Sequence, residues 1–169
     1  MKLSLCTDVL GDLSFTEMLD KVKSLGIDAV EMTAGGWGGC KHVPTQELLA
    51  DENKLKSYKA EIEKRGMEIA ALNCSGNPLC PGEMRQLHTQ TFYDTAVLAG
   101  KLGVKKLVMM SGLPAGGPED KTPNWITSTV SWPDYMVETV RYQWEDVAIP
   151  WWKKFVAHCK ENGVEQIAI

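Results

Sequence analysis

One short pattern occurs four times in this chain of 169 residues and strongly limits what the chain can fold into. In each copy a glycine follows a predicted helix end, and an apolar residue, a polar residue and a short apolar run follow the glycine. The four glycines are Gly26, Gly66, Gly103 and Gly163. A glycine at this place is typical of a helix that ends in the left-handed conformation. Apolar runs this short, bounded by glycine, indicate strands that are buried on both faces, as in a parallel sheet.

Helical segments lie between these boundaries, so the predicted order alternates strands with helices. The first helix has a capping box in Ser14 and Glu17, and the last is expected to bend near Pro150. Strands are predicted near residues 2–6, 27–32, 67–73, 105–110 and 164–169, and the later helices near 51–65, 83–102 and 133–162. The predicted buried faces comprise Phe15, Met18, Leu19, Val22 and Leu25; Leu55, Tyr58 and Ile62; Met84, Leu87, Thr91, Leu98 and Leu102; and Trp144, Trp151 and Phe155.

Such an alternating α/β order fits either a doubly wound sheet or a barrel. The chain has no GxGxxG after its first strand and no GxxxxGK[ST] motif, and its glycine-rich stretch 35–39 has no lysine to hold a phosphate. A (β/α)₈ TIM barrel needs about 250 residues. Residues 1–169 are therefore predicted to form a single domain, a partial barrel of four βα units and a fifth strand.

Charge and composition exclude several classes of partner. The formal net charge is −4, which argues against nucleic acid because phosphate binding needs clustered Lys and Arg. No apolar run approaches the roughly 20 residues that span a bilayer, and Asp8 and Asp12 interrupt any signal peptide. The five cysteines form no CxxC pair, which favours reduced thiols. A cytoplasmic protein that binds neither nucleic acid nor membranes is expected.

Four stretches in this order resemble the xylose isomerase-like TIM barrel family of sugar phosphate isomerases and epimerases. They are IDAVEMTAGGWGG (27–39), IAALNCSGNPLCPG (69–82), AVLAGKLGVKKLVMMSGLP (96–114) and HCKENGVEQIAI (158–169). No single stretch is diagnostic, but the ordered set covers most of the chain at the spacing of that family.

The resemblance implies a parent enzyme of sugar metabolism, a metal-dependent isomerase or epimerase that acts on a sugar, a sugar phosphate or a related polyol. Its cofactor would be a divalent cation (Mn²⁺, Mg²⁺, Co²⁺ or Zn²⁺). In the family a glutamate usually ends the fifth strand and begins the ligand set, and Ile169 comes just before that position. No metal ligand is therefore assigned to this chain. Two alternatives stay open, a dehydratase of inositol derivatives and a non-catalytic half-barrel that binds or assembles.

The active site of a TIM barrel lies at the carboxyl ends of its strands, and this rule selects the candidate residues. Glu31 ends a buried strand, where a carboxylate is costly unless it is paired or binds something. Asn73 and Ser75 are suited to hydrogen-bond sugar hydroxyls, although capping of the following turn is an equal alternative. Cys6 and Ser111 end the first and fourth strands, and Cys6 also suits a small buried position.

Two residues of the loop after the second strand complete the candidate substrate-binding set. Trp37 is suited to stack on a sugar ring, or else to pack against a neighbour. His42 is placed to reach the barrel mouth. The segment 112–131 is long for a loop and is interpreted as a lid over the site.

An open sheet leaves its first and fifth strands as edges, and edges recruit other strands. The apolar Leu3, Leu5, Val164, Ile167 and Ile169 are expected on the inner face, which would then be exposed. A homo-oligomer is expected for this reason.

Overall fold

A computed structural model describes residues 3–124 and 135–169, and it shows a parallel sheet covered by helices on one side. The sheet has five strands in the order β1-β2-β3-β4-β5, and every neighbouring pair is parallel. The strands are β1 (Ser4–Cys6), β2 (Ala29–Gly36), β3 (Glu68–Ser75), β4 (Lys106–Met109) and β5 (Gln166–Ala168). The five predicted strands and their parallel arrangement are confirmed.

Each repeated boundary forms the turn that its glycine predicts. Gly26, Gly66, Gly103 and Gly163 have φ angles of +74°, +62°, +78° and +76°. A residue with a β-carbon is strained in this conformation, which explains why glycine stands at all four positions. The turn aligns every helix end with the next strand, so the four units share one geometry.

The helices cover one face of the sheet. They are α1 (Phe15–Ser24), α2 (Thr45–Ala50), α3 (Glu52–Glu63), α4 (Glu83–Leu102), α5 (Tyr135–Arg141) and α6 (Ile149–Glu161). A 3₁₀ turn, Thr7–Leu10, follows β1, and a π-helical segment, Tyr142–Ala148, joins α5 to α6. The predicted capping box of α1 is present, and the short helix α2 is an addition to the predicted order.

The hydrophobic core lies between the sheet and these helices. Fully buried side chains from the strands, such as Met32, Leu72 and Leu107, form one cluster with fully buried side chains from the helices, such as Phe92 and Phe155. Phe92 and Phe155 have ring centroids 5.8 Å apart. This packing holds α4 and α6 against the middle of the sheet.

Three predicted helix faces are partly wrong. Leu25 lies at the end of α1, where the chain turns, and is 56% exposed. In the first half of α4 the buried residues are His88 and Phe92, and Met84 and Leu87 are exposed because this half packs through the other face.

Trp144 is the third of these errors, and it has a different cause. The π-helical segment has more residues per turn than an α-helix. Spacing based on 3.6 residues therefore places Trp144 wrongly on the face of Trp151 and Phe155, and Trp144 is 61% exposed. The segment lies just before Pro150, whose ring disfavours a regular α-helical turn before it.

Part of the predicted lid lies outside the described residues. The described portion, up to Asn124, is held by Gln143, whose Nε2 donates to the carbonyl oxygens of Ala115 at 3.2 Å and Asn124 at 2.9 Å.

None of the helices in the described ranges is long and apolar enough to cross a membrane.

Candidate functional site

The face of the sheet opposite the helices carries polar side chains. Side chains alternate between the two faces of a strand. In β2 and β3 the residues in the core are Val30, Met32, Leu72 and Cys74, so the alternate residues occupy the opposite face. On this inner face lie Cys6 of β1; Glu31 and Thr33 of β2; Ala71, Asn73 and Ser75 of β3; Val108 of β4; and Ala168 of β5.

This alternation corrects the expected apolar inner face. Leu5 and Ile167 pack against the core under the helices, and Val164 is buried in that core. Leu3 and Ile169 are largely exposed. The expectation was wrong because the apolar residues of the short edge strands serve the helix side of the sheet.

Glu31 and Asn73 form the central pair of the inner face. The Nδ2 atom of Asn73 donates to Oε1 of Glu31 at 2.8 Å, and both side chains are half-buried. The register places Cys6 beside Glu31 and Asn73 beside Thr33. A bulge at Ala70 sets this register, because Val30 pairs with Ile69 and Glu31 already pairs with Ala71.

The amide of Asn73 is a neutral partner for the Glu31 carboxylate. A carboxylate held by one amide hydrogen bond keeps most of its acceptor capacity. The Oε2 atom of Glu31 has no hydrogen-bond partner among the described residues. The pair therefore offers an acceptor beside an amide group, which suits a ligand with hydroxyl groups.

A second carboxylate lies near the rim, in the 3₁₀ turn after β1. Thr33 donates its hydroxyl to Asp8, whose Oδ1 and Oδ2 lie 2.7 Å and 2.9 Å from Thr33 Oγ1. Thr33 is buried and Asp8 is exposed. The hydrogen bond joins the ends of β1 and β2 and fixes the direction of the Asp8 carboxylate.

The glycine-rich loop after β2 packs closely over this rim. The backbone N–H of Gly38 donates to Ser75 Oγ at 3.2 Å, and that of Trp37 donates to the Ser75 carbonyl oxygen at 2.8 Å. A β-carbon on Gly38 would lie 2.9 Å from Thr33 Cγ2 and 3.5 Å from Asp8 Oδ2. A side chain at position 38 would therefore displace Thr33, because the backbone of the loop touches the site itself.

Trp37 projects from this loop with 60% of its surface exposed. Its ring packs edge to face against His88 of α4, with ring centroids 5.5 Å apart. His88 is buried, and its Nδ1 accepts a hydrogen bond from the Asn77 N–H at 3.0 Å. The indole is thus supported on one side and open on the other.

Asn77 ties the loops after β3 and β4 together. Its Nδ2 donates to the Leu113 carbonyl oxygen at 2.9 Å, and its Oδ1 accepts from Leu113 N at 2.7 Å and from Leu79 N at 3.2 Å. Asn77 is buried, so these bonds satisfy a group that would otherwise be costly. They bring the loop after β4 to the same rim.

The structure brings together most of the predicted site residues. Glu31 and Asn73 are hydrogen-bonded, Cys6 pairs with Glu31 in the register, and Ser75 holds the loop that carries Trp37. These contacts place the residues in one region of the sheet.

His42 and Ser111 are set apart from this group. His42 is buried, its Nε2 donates to the Leu13 carbonyl oxygen at 3.1 Å, and its own carbonyl oxygen accepts from Tyr58 Oη at 2.9 Å. Its imidazole therefore supports the loop. Ser111 is exposed, and its carbonyl oxygen accepts from Trp152 Nε1 at 2.9 Å.

Sequence reasoning missed Asp8 and Asn77 as contributors to the rim. Asp8 lies two residues after β1, so the strand-end rule that selected Cys6 could have included it. Asn77 had a local signal in the turn Gly76–Pro78, but its bonds to Leu113 depend on the folded sheet.

The thiols behind the sheet are not reactive groups of this face. Burial raises the pKa of Cys74 to about 11, although a hydrogen bond with Thr95 opposes the shift. Burial also raises the pKa of Cys159 to about 12. Both thiols are protonated at neutral pH, and Cys6 is the exposed cysteine on the inner face.

The described residues do not form a metal centre by themselves. Within residues 3–124 and 135–169, no group of three or more His, Cys, Asp or Glu side chains is placed to hold a metal ion. Glu31 accepts a hydrogen bond from Asn73, and Asp8 accepts one from Thr33. Both donors are neutral side chains.

Comparison with known proteins agrees with this geometry. The family described as "Xylose isomerase-like TIM barrel" matches residues 19–169. The chain belongs to this family.

Relatives of known sequence and structure support the family assignment. The chain is 55% identical over 169 residues to the "Uncharacterized protein YfiH" of Bacillus subtilis (strain 168), covering 100% of this chain and 54% of that protein. The chain therefore spans about half the length of this curated relative.

Three solved structures show the same fold at low identity. D-psicose 3-epimerase from Clostridium cellulolyticum H10 has a TM-score of 0.57 at 16% identity, covering 99% of this chain and 52% of that chain. The "probable 3-DHS dehydratase AsbF" from Bacillus anthracis has 0.59 at 13%, covering 99% and 52%. A xylose isomerase domain protein from Planctomyces limnophilus has 0.56 at 14%, covering 99% and 51%.

Proposed function

We propose that the protein containing this chain isomerises or epimerises a sugar or a related polyol, and that this chain forms the wall that holds the substrate. The observation that carries the proposal is the hydrogen-bonded Glu31–Asn73 pair, half-buried on the inner face of the sheet. A carboxylate beside an amide can accept from one hydroxyl and orient its neighbour.

The surroundings of the pair favour a small polar ligand. Thr33 and Ser75 add hydroxyl groups on the same face, and Ala71, the register partner of Glu31, has a small side chain. Trp37 adds an exposed aromatic face at the rim, of the kind on which a sugar ring stacks. The D-psicose 3-epimerase and the xylose isomerase domain protein with the same fold support the substrate class, although fold alone does not fix chemistry.

The chemistry proposed is proton transfer next to a carbonyl group, with carboxylates as acid and base. For the whole protein the proposal includes a divalent cation, which residues outside the described ranges would bind and which would stabilise the negative charge that develops on the substrate. Since the described residues do not form its site, this chain's contribution is to bind and orient the hydroxyl groups of the substrate.

Turnover of a panel of ketoses, aldoses and polyols tests the proposal. The gene product that carries this chain is assayed with Mn²⁺, Mg²⁺, Co²⁺ or Zn²⁺, as wild type and as Glu31→Gln. Glu31→Gln removes a charged acceptor and should lower kcat/KM by about tenfold to a hundredfold. This is the expected size because a hydrogen bond to a charged group contributes about 1.5–3 kcal/mol.

Glu52→Gln is the matched control, because Glu52 is exposed on α3, on the helix side of the sheet. It should leave kcat/KM unchanged. Absence of turnover with every sugar and cation contradicts the enzymatic proposal. Sugar binding without turnover would favour the non-catalytic alternative, and loss of water from a polyol would favour the dehydratase.

A further inference from the structure

Asn162–Gly163 is the single Asn-Gly sequence in the chain, and it lies in the turn between α6 and β5. An Asn-Gly pair is chemically labile, because glycine has no side chain to shield its backbone nitrogen. The Gly163 nitrogen attacks the amide carbon of the Asn162 side chain, a C–N bond forms, and the amide nitrogen leaves as ammonia with the Gly163 proton. The resulting succinimide takes up water and opens to aspartate or isoaspartate.

The backbone of Asn162 is far from the geometry that this reaction needs. The five-membered ring closes when the Cβ of Asn162 and the nitrogen of Gly163 eclipse each other across the Cα–C bond. In an L residue this requires a ψ of about −120°, since the substituents of Cα are about 120° apart in projection along that bond. The ψ of Asn162 is 11°. The folded chain therefore holds the nucleophile away from the side chain.

Hydrogen bonds of the turn after α6 hold this ψ angle. The Gly163 N–H donates to the Lys160 carbonyl oxygen at 3.1 Å, and the Val164 N–H donates to the Cys159 carbonyl oxygen at 2.9 Å. Rotation about ψ carries the Gly163 N–H away from Lys160 and displaces Val164, which is buried in the core. The ring can therefore close only after the turn has opened.

Helix α4 packs against the same peptide group. A β-carbon on Gly100 would lie 2.3 Å from the Asn162 carbonyl oxygen, so α4 approaches this carbonyl through a position without a side chain. The start of β5 is attached to the turn as well, because the N–H groups of Glu165 and Gln166 both donate to the Lys105 carbonyl oxygen, at 2.9 Å and 3.0 Å. The turn cannot open without loosening these contacts.

We infer that Asn162–Gly163 is a modification site that the fold controls. Asn162 is protected while the turn is closed, it is deamidated when the turn opens locally, and its products then prevent the turn from closing. Local opening is favoured over global unfolding because Gly163 and Glu165 are exposed and Val164 is the buried side chain of the turn. The inference concerns a reaction of the chain itself and goes beyond the proposed function.

Both products are incompatible with the closed turn. In the folded chain the Asn162 Nδ2 donates to the His158 carbonyl oxygen at 2.9 Å. Aspartate replaces this donor with a carboxylate oxygen, and it places a negative charge at the carboxyl end of α6, where the helix dipole is also negative. Isoaspartate lengthens the main chain by a methylene carbon at the point that packs against α4.

Deamidation rates of the folded and the unfolded chain test the protection. The 169-residue chain is incubated at mildly alkaline pH, in buffer and in guanidinium chloride, and peptide mapping follows the mass gain at Asn162. Enzymatic carboxyl methylation identifies isoaspartate in the same peptide. Conversion in buffer should be at least about tenfold slower than in guanidinium chloride. Equal rates would overturn the protection, and an unreactive Asn162 in guanidinium chloride would overturn the site itself.

Val164→Ala tests the local route. It removes apolar contacts that hold the turn, so deamidation in buffer should be at least about tenfold faster than in wild type. Val43→Ala is the matched control, because Val43 is fully buried in the loop after β2 and loses the same atoms there. Its rate should equal that of wild type. Equal acceleration in both variants would overturn the local route, and no acceleration in Val164→Ala would overturn the role of the turn.

Gly100→Ala opens the same turn without removing a core side chain. Its β-carbon would press against the Asn162 carbonyl oxygen, so this variant should also deamidate faster in buffer. Gly117→Ala is its control, because a β-carbon there meets nothing within 4 Å, and it should leave the rate unchanged. An unchanged rate in Gly100→Ala would contradict the protection by α4.

Hydrogen exchange of the deamidated chain tests the consequence of the reaction. Ion exchange separates the deamidated chain by its added negative charge. Amide hydrogens of residues 164–168 should exchange at least about tenfold faster than in the intact chain, with those of β2 and β3 unchanged. Asn162→Asp is a stable form of the aspartate product and should show the same shift. Unchanged exchange in both would overturn the conclusion that the products prevent closure.

Discussion

At the scale of single residues, Ser14 and Glu17 close the first turn of α1 by reciprocal hydrogen bonds. The Glu17 N–H donates to Ser14 Oγ at 3.4 Å, and the Ser14 N–H donates to Glu17 Oε2 at 2.9 Å. The hydrogen bonds from the Ser14 side chain and backbone hold the pKa of Glu17 below its ordinary value. The box satisfies backbone donors that a helix start otherwise leaves to water.

Ser14→Ala should lower the free energy of unfolding by about 1 kcal/mol, the usual effect of losing an N-cap. Chemical denaturation at pH 7 measures the loss. Thr16→Ala, at an exposed position of the same turn, is the control and should change stability by no more than a few tenths of a kcal/mol. Equal losses in the two variants would contradict the importance of the cap.

The same box has a predictable pH dependence. Because the pKa of Glu17 is lower in the folded state, its contribution is fully present above the unfolded pKa and disappears as pH falls through the folded pKa. The stability difference between wild type and Ser14→Ala should therefore shrink in acid. A difference that stays constant from pH 7 until the Glu17 carboxylate is protonated in the folded chain, below its ordinary pKa, would be inconsistent with the capping box.

Cysteine accessibility provides another test of the fold at this scale. Cys6 and Cys40 are exposed, and Cys74, Cys80 and Cys159 are buried with raised pKa values. Since the thiolate is the reactive form, iodoacetamide should label two sites rapidly in the folded chain and all five after denaturation. Peptide mapping identifies the sites, and Cys6→Ser and Cys40→Ser should each remove one. Rapid labelling of Cys74 would be incompatible with the core described above.

At the scale of elements, the end of β2 approaches β3 too closely for any side chain. Gly36 has a φ of +82°, and a β-carbon there would lie 1.6 Å from the Ser75 carbonyl oxygen. Gly39, three residues later, has a φ of +75° but no atom within 4 Å of such a carbon. The two glycines share a backbone conformation and differ in their surroundings.

Gly39→Ala should therefore lower the free energy of unfolding by about 1–2 kcal/mol, which is the strain of the left-handed conformation. Gly36→Ala adds a backbone clash and should reach the severe range, about 4 kcal/mol or more. Denaturant titration of both variants measures the difference. Similar losses would mean that β2 and β3 can separate at this point with little cost.

Strand and helix positions were predictable because a local rule controls them. The left-handed glycine between each helix and strand is required by φ alone, so Gly26, Gly66, Gly103 and Gly163 mark the turns in the sequence. The full length of β2 was not predictable from residues 27–32. Its extension to Gly36 depends on pairing with Ser75, which is distant in the sequence.

The candidate site was predictable to a similar extent. The rule that parallel strands end at one rim selected Glu31 and Asn73, and the two side chains do meet. The rule placed Glu31 wrongly, because β2 continues to Gly36 and Glu31 lies within the strand. The Asp8–Thr33 hydrogen bond could not be predicted from the sequence, because it depends on β1 and β2 being neighbours in the sheet. The burial of His42 could not be predicted either, because it depends on contacts of the folded loop with Leu13 and Tyr58. The prediction of the buried helix face was wrong where a regular period of 3.6 residues was assumed across the π-helical segment.

At the scale of the whole molecule, β1 and β5 are the edges of the described sheet. In the described ranges β1 pairs only with β2, and β5 only with β4. Leu3 and Ile169, next to these edges, are 71% and 73% exposed. Since the inner face is polar, the tendency to associate should come from the strand edges and these flanking residues.

The 169-residue chain should therefore self-associate in solution, and Leu3→Lys combined with Ile169→Lys should shift it toward monomer. Charge next to a strand edge opposes pairing with another chain. Light scattering over a range of protein concentrations measures the shift. Leu87→Lys is the control, because Leu87 is 59% exposed on α4, which packs on β2, β3 and β4 in the middle of the sheet. A monomer at all concentrations for the wild type would contradict the expectation.

Because the strands differ in length, the middle of the sheet should be more stable against local opening than its edges. β2 and β3 each have eight residues, whereas β1 and β5 have three. Amide hydrogens of β2 and β3 should exchange with deuterium only on global unfolding, while those of β1 should exchange through frequent local opening. Glu31 and Asn73 then stand on preorganised backbone, and Cys6 stands on backbone that opens and closes. A ligand that bridges both would slow deuterium uptake mainly at β1, a footprint that mass spectrometry can locate without any assay of turnover.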